Sequence, residues 1–433
     1  MTTARRIGLL SATGIGVGSM LGAGVFSDMW VEVLAAGRWA MAAVAGAAIV
    51  ALLNALSTAQ LAARYPVAGG AYAYGRAELG PFAGHVAGAA FVVGKTVSVA
   101  VGATVLGASV LPGHVQGIAT AAIVAAWALN AGGITRTARG ATLIAIIVVA
   151  ALVVIVALSL TGTPEDAGPP VSVLAADAGP TMTFLVAVAA CFFAFAGYAR
   201  IATLGEEVEA PARTIPRAIL FALAVVVSLY LVVAAALSRL GADRLVPAAR
   251  RDGDVIVASG PAAPIEQLAR MGGVPVVVAT VVAALSVGGA MLAVMAGAGR
   301  TAMAMAREGD LPRVLAATGA SAAPWRAEAV VGACAVALVW TEGASLVLVS
   351  AASVLLYYAV ANLAAVSQRR GGRTAGLAIP ATLSVVGLVC SLGLAVVALV
   401  GAGDAVWPAL LVGLAVIAWP AVAAARRRPR ATF

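Results

Sequence analysis

The strongest constraint on this chain is the length of its apolar runs. Strongly hydrophobic blocks of roughly 20 residues, the number that crosses a hydrocarbon core about 30 Å thick, recur from one end to the other. Short connectors rich in Arg, Pro and Gly separate them. Strands of a membrane barrel would read instead as alternating segments of about ten residues. With 62% hydrophobic and 10% charged residues among 433, the chain cannot clothe a water-soluble surface. It is therefore read as an all-α polytopic membrane protein. Twelve spans are expected, at about 7–35, 39–63, 81–110, 116–134, 140–161, 182–204, 216–238, 274–299, 326–341, 345–366, 376–400 and 404–425. Met1–Arg6 is too short, and the first apolar block too long, for a cleaved leader, so Ile7 onward is kept as a span.

Arginine sets the orientation. With the N-terminus inside, nineteen arginines fall in cytoplasmic segments and six outside, most of the six in one long loop around residues 239–270. That imbalance predicts a cell-membrane protein with both termini cytoplasmic. The net charge of +9 has the same origin. The arginines sit a few per short loop rather than on one face among aromatics, which argues against a nucleic-acid partner. Cys191, Cys334 and Cys390 all lie in apolar spans and read as small core residues. No His/Cys/Asp group has metal-ligand spacing, so neither a metal nor a cofactor is expected. His85 and His114 fall near the ends of the third span and read as packing or interfacial residues.

Two spans are interrupted. The first contains GIGVGSMLGAGVF, Gly14 to Phe26. Gly14, Gly18 and Gly22 are four apart, a spacing that suits close helix packing. The alternative is a helix broken near Ser19–Gly24, whose freed amides and carbonyls must line a cavity or a ligand. The sixth span contains CFFAFAGYAR, where Gly197 stands between the bulky Phe195 and Tyr198 and Arg200 ends the hydrophobic run. This second interruption favours the broken-helix reading. First and sixth are the same position in two successive sets of five spans. Because five is odd, the second set enters from the opposite face, and an inverted repeat brings both breaks to the midplane. Half-helix ends there offer amides to a carboxylate and carbonyls to an ammonium group, a receptor for a zwitterion.

Four stretches resemble the amino acid–polyamine–organocation (APC) permeases: Gly18–Phe26, Tyr65–Gly88, Phe192–Ile219 and Arg300–Pro312. The resemblance implies a LeuT-type fold, with one repeat over about 7–161, a second over about 182–366 and two extra helices over about 376–425, all in a single permease domain. It also implies secondary active amino acid transport by alternating access. By position, Gly22, Ala23 and Gly24 would receive the substrate carboxylate, and the backbone of Ala194, Phe195 and Gly197 its amino group. Phe195 and Tyr198 would flank the pocket. Glu206, Glu207 and Arg213 match the family's cytoplasmic block, where charges pair across an inner gate.

Two residues depart from that pattern. Lys95, the only lysine, sits mid-span in FVVGKTVSVAVG. An ionised side chain there costs about 3 to more than 10 kcal/mol unless it faces a wet cavity or a partner. It is assigned first to carrying a coupling proton. A static ion pair, a snorkelling side chain and direct substrate contact are the alternatives. Some proton-coupled relatives keep a lysine in the fifth helix, but Ala141–Leu160 has none. Ala199, followed by Arg200, stands where many cationic amino acid carriers have an acid. That favours a neutral amino acid, with basic amino acids or polyamines as the alternative, to which Asp28 and Glu32 would contribute from the outer side. A channel is disfavoured by the lack of a filter sequence or charged ring, and an enzyme by the lack of a nucleophile or acid–base cluster. The orientation is checked with a green fluorescent protein fused after Phe433: fluorescence in a bacterial host is expected, and a dark fusion that becomes active as a periplasmic phosphatase fusion would invert it.

Overall fold

In a computed structural model of the chain, the residues described are 7–27, 29, 30, 33, 36–67, 69–132, 138–162, 179–205, 207–239, 249–252, 255–258, 264–319, 323–341, 346–374, 377–403, 407, 413, 418 and 419. Lipid provides no water to pair backbone groups, so apolar segments rich in Ala, Leu and Val close their hydrogen bonds internally as helices. The helices are α1 (Leu9–Leu21), α2 (Ala23–Phe26), α3 (Ala40–Arg64), α4 (Ala71–Leu79), α5 (Pro81–Val110), α6 (Val115–Ala131), α7 (Ala138–Thr161) and α8 (Pro180–Phe195). They continue as α9 (Ala199–Ala202), α10 (Pro211–Leu237), α11 (Pro264–Met271), α12 (Val276–Glu308), α13 (Trp325–Val339), α14 (Leu346–Arg370) and α15 (Ala381–Gly401). Pro81, Pro180 and Pro211 occupy the first helical position, where the missing amide is not needed.

Ten stretches among the described residues are long and apolar enough to cross a membrane. The expected ninth span is represented by α13, whose 15 residues rise only about 22 Å at helical pitch. The expected twelfth, 404–425, lies almost wholly outside the described residues. Three local differences have clear causes. The segment Arg300–Glu308, expected in a loop, continues α12 until Gly309 caps it with φ 87°, a left-handed conformation that glycine adopts without strain. Between the second and third spans an extra short helix, α4, begins after Gly70 at φ 56°. The long segment between α10 and α12 contains α11 and an antiparallel pair of four-residue strands, β1 (Ala249–Asp252) and β2 (Val255–Ala258).

α5 is central: it packs against α4, α6, α12, α13 and α14. α1 packs on α7, α10 and α12. With apolar lipid outside, packing between helices gains little from the hydrophobic effect, and polar side chains supply part of the adhesion. A ladder of these joins α3, α14 and α15. Asn362 Nδ2 donates to Asn54 Oδ1 at 2.6 Å, Ser391 Oγ donates to the same oxygen at 3.0 Å, and Ser57 and Ser384 share a 2.9 Å bond. Gln60 Nε2 donates to Gln368 Oε1 at 2.9 Å, and its Oε1 accepts from the Ile379 amide at 3.0 Å. All of these side chains are buried. The Asn362→Ala variant is expected to lose about 1 kcal/mol, read as a lower melting temperature in detergent; an unchanged melting curve would show that the ladder is not adhesive.

Candidate functional site

A helix broken in lipid must find partners for the backbone groups it frees. α1 stops at Leu21, Gly22 leaves helical geometry with ψ −122°, and α2 resumes at Ala23. The freed Met20 carbonyl accepts a hydrogen bond from Tyr230 Oη of α10 at 2.6 Å, and the Leu21 carbonyl accepts one from Ser286 Oγ of α12 at 3.2 Å. α8 ends at Phe195 and passes through a 3-10 turn, Ala196–Tyr198, into α9. There the Ala196 carbonyl accepts from Lys95 Nζ at 3.2 Å and from Tyr358 Oη at 3.4 Å. Four side chains from four different spans therefore stopper the carbonyls of the two breaks. The amides that open α2, at Ala23 and Gly24, have no carbonyl one turn back in that helix.

The breaks cross in direct contact. A methyl group on Gly197 would fall onto the Ser19 carbonyl and stand 2.6 Å from the Met20 amide nitrogen. One on Gly24 would stand 2.6 Å from Ala194 Cβ. Glycine at these two positions lets the backbones meet.

Beside the crossing lies a cleft with about 380 Å³ of atom-free space. Ser19, Met20 and Gly24 line it from the first break, and Phe193, Ala194 and Gly197 from the second. Lys95, Ser98 and Gly102 line it along one face of α5, and Val287, Ala290, Met291 and Val294 along one face of α12. The polar lining hydroxyls are occupied: Ser19 Oγ donates to the Ile15 carbonyl at 2.7 Å, and Ser98 Oγ bonds the Gly94 carbonyl at 3.0 Å and Ser350 at 2.8 Å. Among the described residues, Lys95 is the sole charged one in the lining. It is 5% exposed, its ammonium nitrogen lies 5.8 Å from the Phe91 ring centre, and among the described residues no carboxylate is within salt-bridge distance of it.

The structure thus gathers Gly24, Ala194, Gly197 and Lys95 around one space. Gly22 stands beside it, against Ala290, and Ala23 contributes the backbone that opens α2. Phe195 and Tyr198 do not line the cleft: the Phe195 ring packs 5.1 Å from Tyr230, and Tyr198 stacks on Tyr358 at 5.0 Å. Helical spacing explains the exchange, since residues 193, 194 and 197 share a face that 195 and 198 do not. Phe193 and the α12 face were missed by the sequence reading. The spacing of 287, 290, 291 and 294 marks a stripe, but only packing shows which space it meets.

The cytoplasmic candidates separate. Glu207 forms an ion pair with Arg300 of α12, whereas Arg213 is exposed at the start of α10 and Glu206 lies outside the described residues. Asp28 and Glu32 also lie outside them. Arg200 does not line the cleft; its guanidinium donates to Thr203 Oγ1 at 2.7 Å. It shares its surroundings with Arg300, Glu207 and Glu328, the last 1% exposed at the start of α13 and missed by the sequence reading. Ile7 ties the N-terminal end to this group through backbone bonds with Glu207 and Glu209. Nearby, Asp310 accepts from Arg76 at 2.9 Å and from Tyr72 Oη at 2.9 Å. Burial, and then this bond, push the Tyr72 hydroxyl above the ordinary phenol range, so it remains a donor at physiological pH.

Comparison with known proteins places the arrangement. Residues 7–420 match the amino acid permease family. The chain belongs to that family, within the APC superfamily. Uncharacterized transporters of Mycobacterium bovis and of two strains of Mycobacterium tuberculosis are 41% identical to it over 374 residues, 84% of this chain and 80% of each relative. The permease is thus a multi-pass membrane transporter whose two broken helices meet at a cleft. Gly197→Ala should force those helices apart: a lower melting temperature and loss of ligand binding are expected, and a variant that binds and melts like wild type would refute the close crossing. Gly24→Ala, whose methyl would stand 2.6 Å from Ala194 Cβ and 2.7 Å from its Cα, should likewise push α8 from α2 and lower the melting temperature; an unchanged melting curve would refute that contact.

Proposed function

We propose that the permease is a secondary active amino acid transporter that works by alternating access between two inverted five-helix repeats, over about 7–161 and 182–366. The observation that carries this reading is the cleft at the crossing of the two breaks. The substrate carboxylate takes the amides of Ala23 and Gly24 at the start of α2, with Gly22 providing the turn. Its amino group takes carbonyls of the second break, around Ala194, Phe195 and Gly197. Phe195 and Tyr198 act from behind the wall, holding Tyr230 and Tyr358, which stopper the breaks.

Lys95 carries the coupling proton. Its ammonium spans the space between α5 and the second break, so gain or loss of a proton there alters a contact between two elements that must move relative to each other. A cationic substrate side chain would meet this like charge, which sets aside basic amino acids and polyamines. On the cytoplasmic side, the Glu207–Arg300 ion pair, with Arg200 and Glu328 in its surroundings, forms the inner gate in which Glu206 and Arg213 were also expected to share. The permease resides in the cell membrane with both termini in the cytoplasm.

Uptake of labelled amino acids into proteoliposomes, with and without an inward proton gradient, tests the proposal. Saturable uptake stimulated by the gradient in wild type and indifferent to it in Lys95→Ala is expected. Uptake that requires only an internal amino acid and ignores the gradient would make the permease an exchanger and Lys95 structural.

A further inference from the structure

Lys95 has a second consequence, which rests on the cleft being the substrate site. The cleft lining carries three polar side chains, and two of them, Ser19 and Ser98, spend their hydroxyl groups on backbone carbonyls or on Ser350. The ammonium group of Lys95 has three donors, and its hydrogen bond to the Ala196 carbonyl uses one. Among the described residues, Lys95 is therefore the lining side chain with donor capacity left for a ligand. It is also 5% exposed, with no carboxylate partner among the described residues.

We infer that Lys95 pairs with a second carboxylate on the substrate, so that the permease prefers acidic amino acids to neutral ones. Charge balance decides between the substrates. A neutral amino acid is a zwitterion with no net charge. Closing the site over it leaves the ammonium of Lys95 buried without a counter-charge, which low-dielectric surroundings penalise heavily. An acidic amino acid brings one net negative charge, and the closed complex with protonated Lys95 is neutral. The geometry agrees. With the α-carboxylate at Gly24 and the amino group at the second break, the rest of the cleft runs along α5 and α12. There Lys95 is the charged feature, Gly102 lines the space two turns away, and Met291 and Val294 face them with apolar groups. The proton on Lys95 and the acidic substrate would then cross together as a neutral unit.

The test is calorimetric titration of the purified full-length permease with aspartate, glutamate, asparagine, glutamine and leucine, using wild type, Lys95→Arg and Lys95→Gln, each checked for folding by its melting curve. Wild type should bind an acid about tenfold or more tighter than its amide, the size expected for one hydrogen-bonded charge. Lys95→Arg should keep that order, and Lys95→Gln should reverse it. Amides or leucine binding wild type as tightly as the acids would overturn the inference while leaving amino acid transport intact. An acid preference that survives Lys95→Gln would do the same. If no amino acid bound wild type at all, the substrate-site reading itself would fall, and this inference with it. Should Lys95→Gln not fold, the acid-to-amide ratio in wild type and in Lys95→Arg decides.

Discussion

The rest of this structure depends on how a membrane helix survives being broken. Each unpaired backbone group costs several kcal/mol in hydrocarbon, so a break persists only where side chains from elsewhere reach it. Here Tyr230 and Ser286 serve the first break, and Lys95 and Tyr358 the second. These four come from α10, α12, α5 and α14, so the breaks are held by helices distant from them in sequence. The contact of Gly197 with the backbone of Ser19 and Met20 then locks the two breaks to each other. Any movement of α10 or α12 relative to α1 acts directly on a hydrogen bond at the break.

Lys95 links this scaffold to chemistry. It is at once a stopper for the second break and the charged group of the cleft. A buried cation with one neutral acceptor is incompletely compensated, and such a group is stable only if something else enters, a counter-charge or a proton leaving. The proposed proton coupling and the inferred acidic preference are two expressions of that imbalance. A second space of about 400 Å³, between α1, α7 and α12, differs in this respect: the polar side chains in its lining are Ser19 and Ser286, and it carries no charge.

Polar contacts elsewhere divide by environment. Inside the membrane, the Asn, Ser and Gln ladder fastens α15 to α3 and α14 by neutral hydrogen bonds. On the arginine-rich side, ionised groups take over: Arg300–Glu207 connects α12 to the loop that follows the sixth span, and Arg76–Asp310 connects α4 to the segment just after α12. Neutral pairs suit the region where ions are penalised, and ion pairs suit the region where water can still reach them.

The order of apolar blocks, the two glycine interruptions and the family were legible in the linear chain. Apolar length and backbone pairing are local requirements that each segment meets by itself, which is why the third span, 81–110, coincides with α5. Gly24, Gly197 and Lys95 stood out for the same reason, a glycine or a charge inside an apolar run being anomalous wherever it packs, whereas Ala194 came only from the resemblance to the APC permeases. What touches what was decided only by the tertiary structure. Phe193 rather than Phe195 faces the cleft, Arg200 turns away from it, Glu328 joins the cytoplasmic charges, and Tyr230 and Ser286 complete the first break. Each of these depends on the rotation of one helix against others far away in the chain, and no local pattern encodes that rotation.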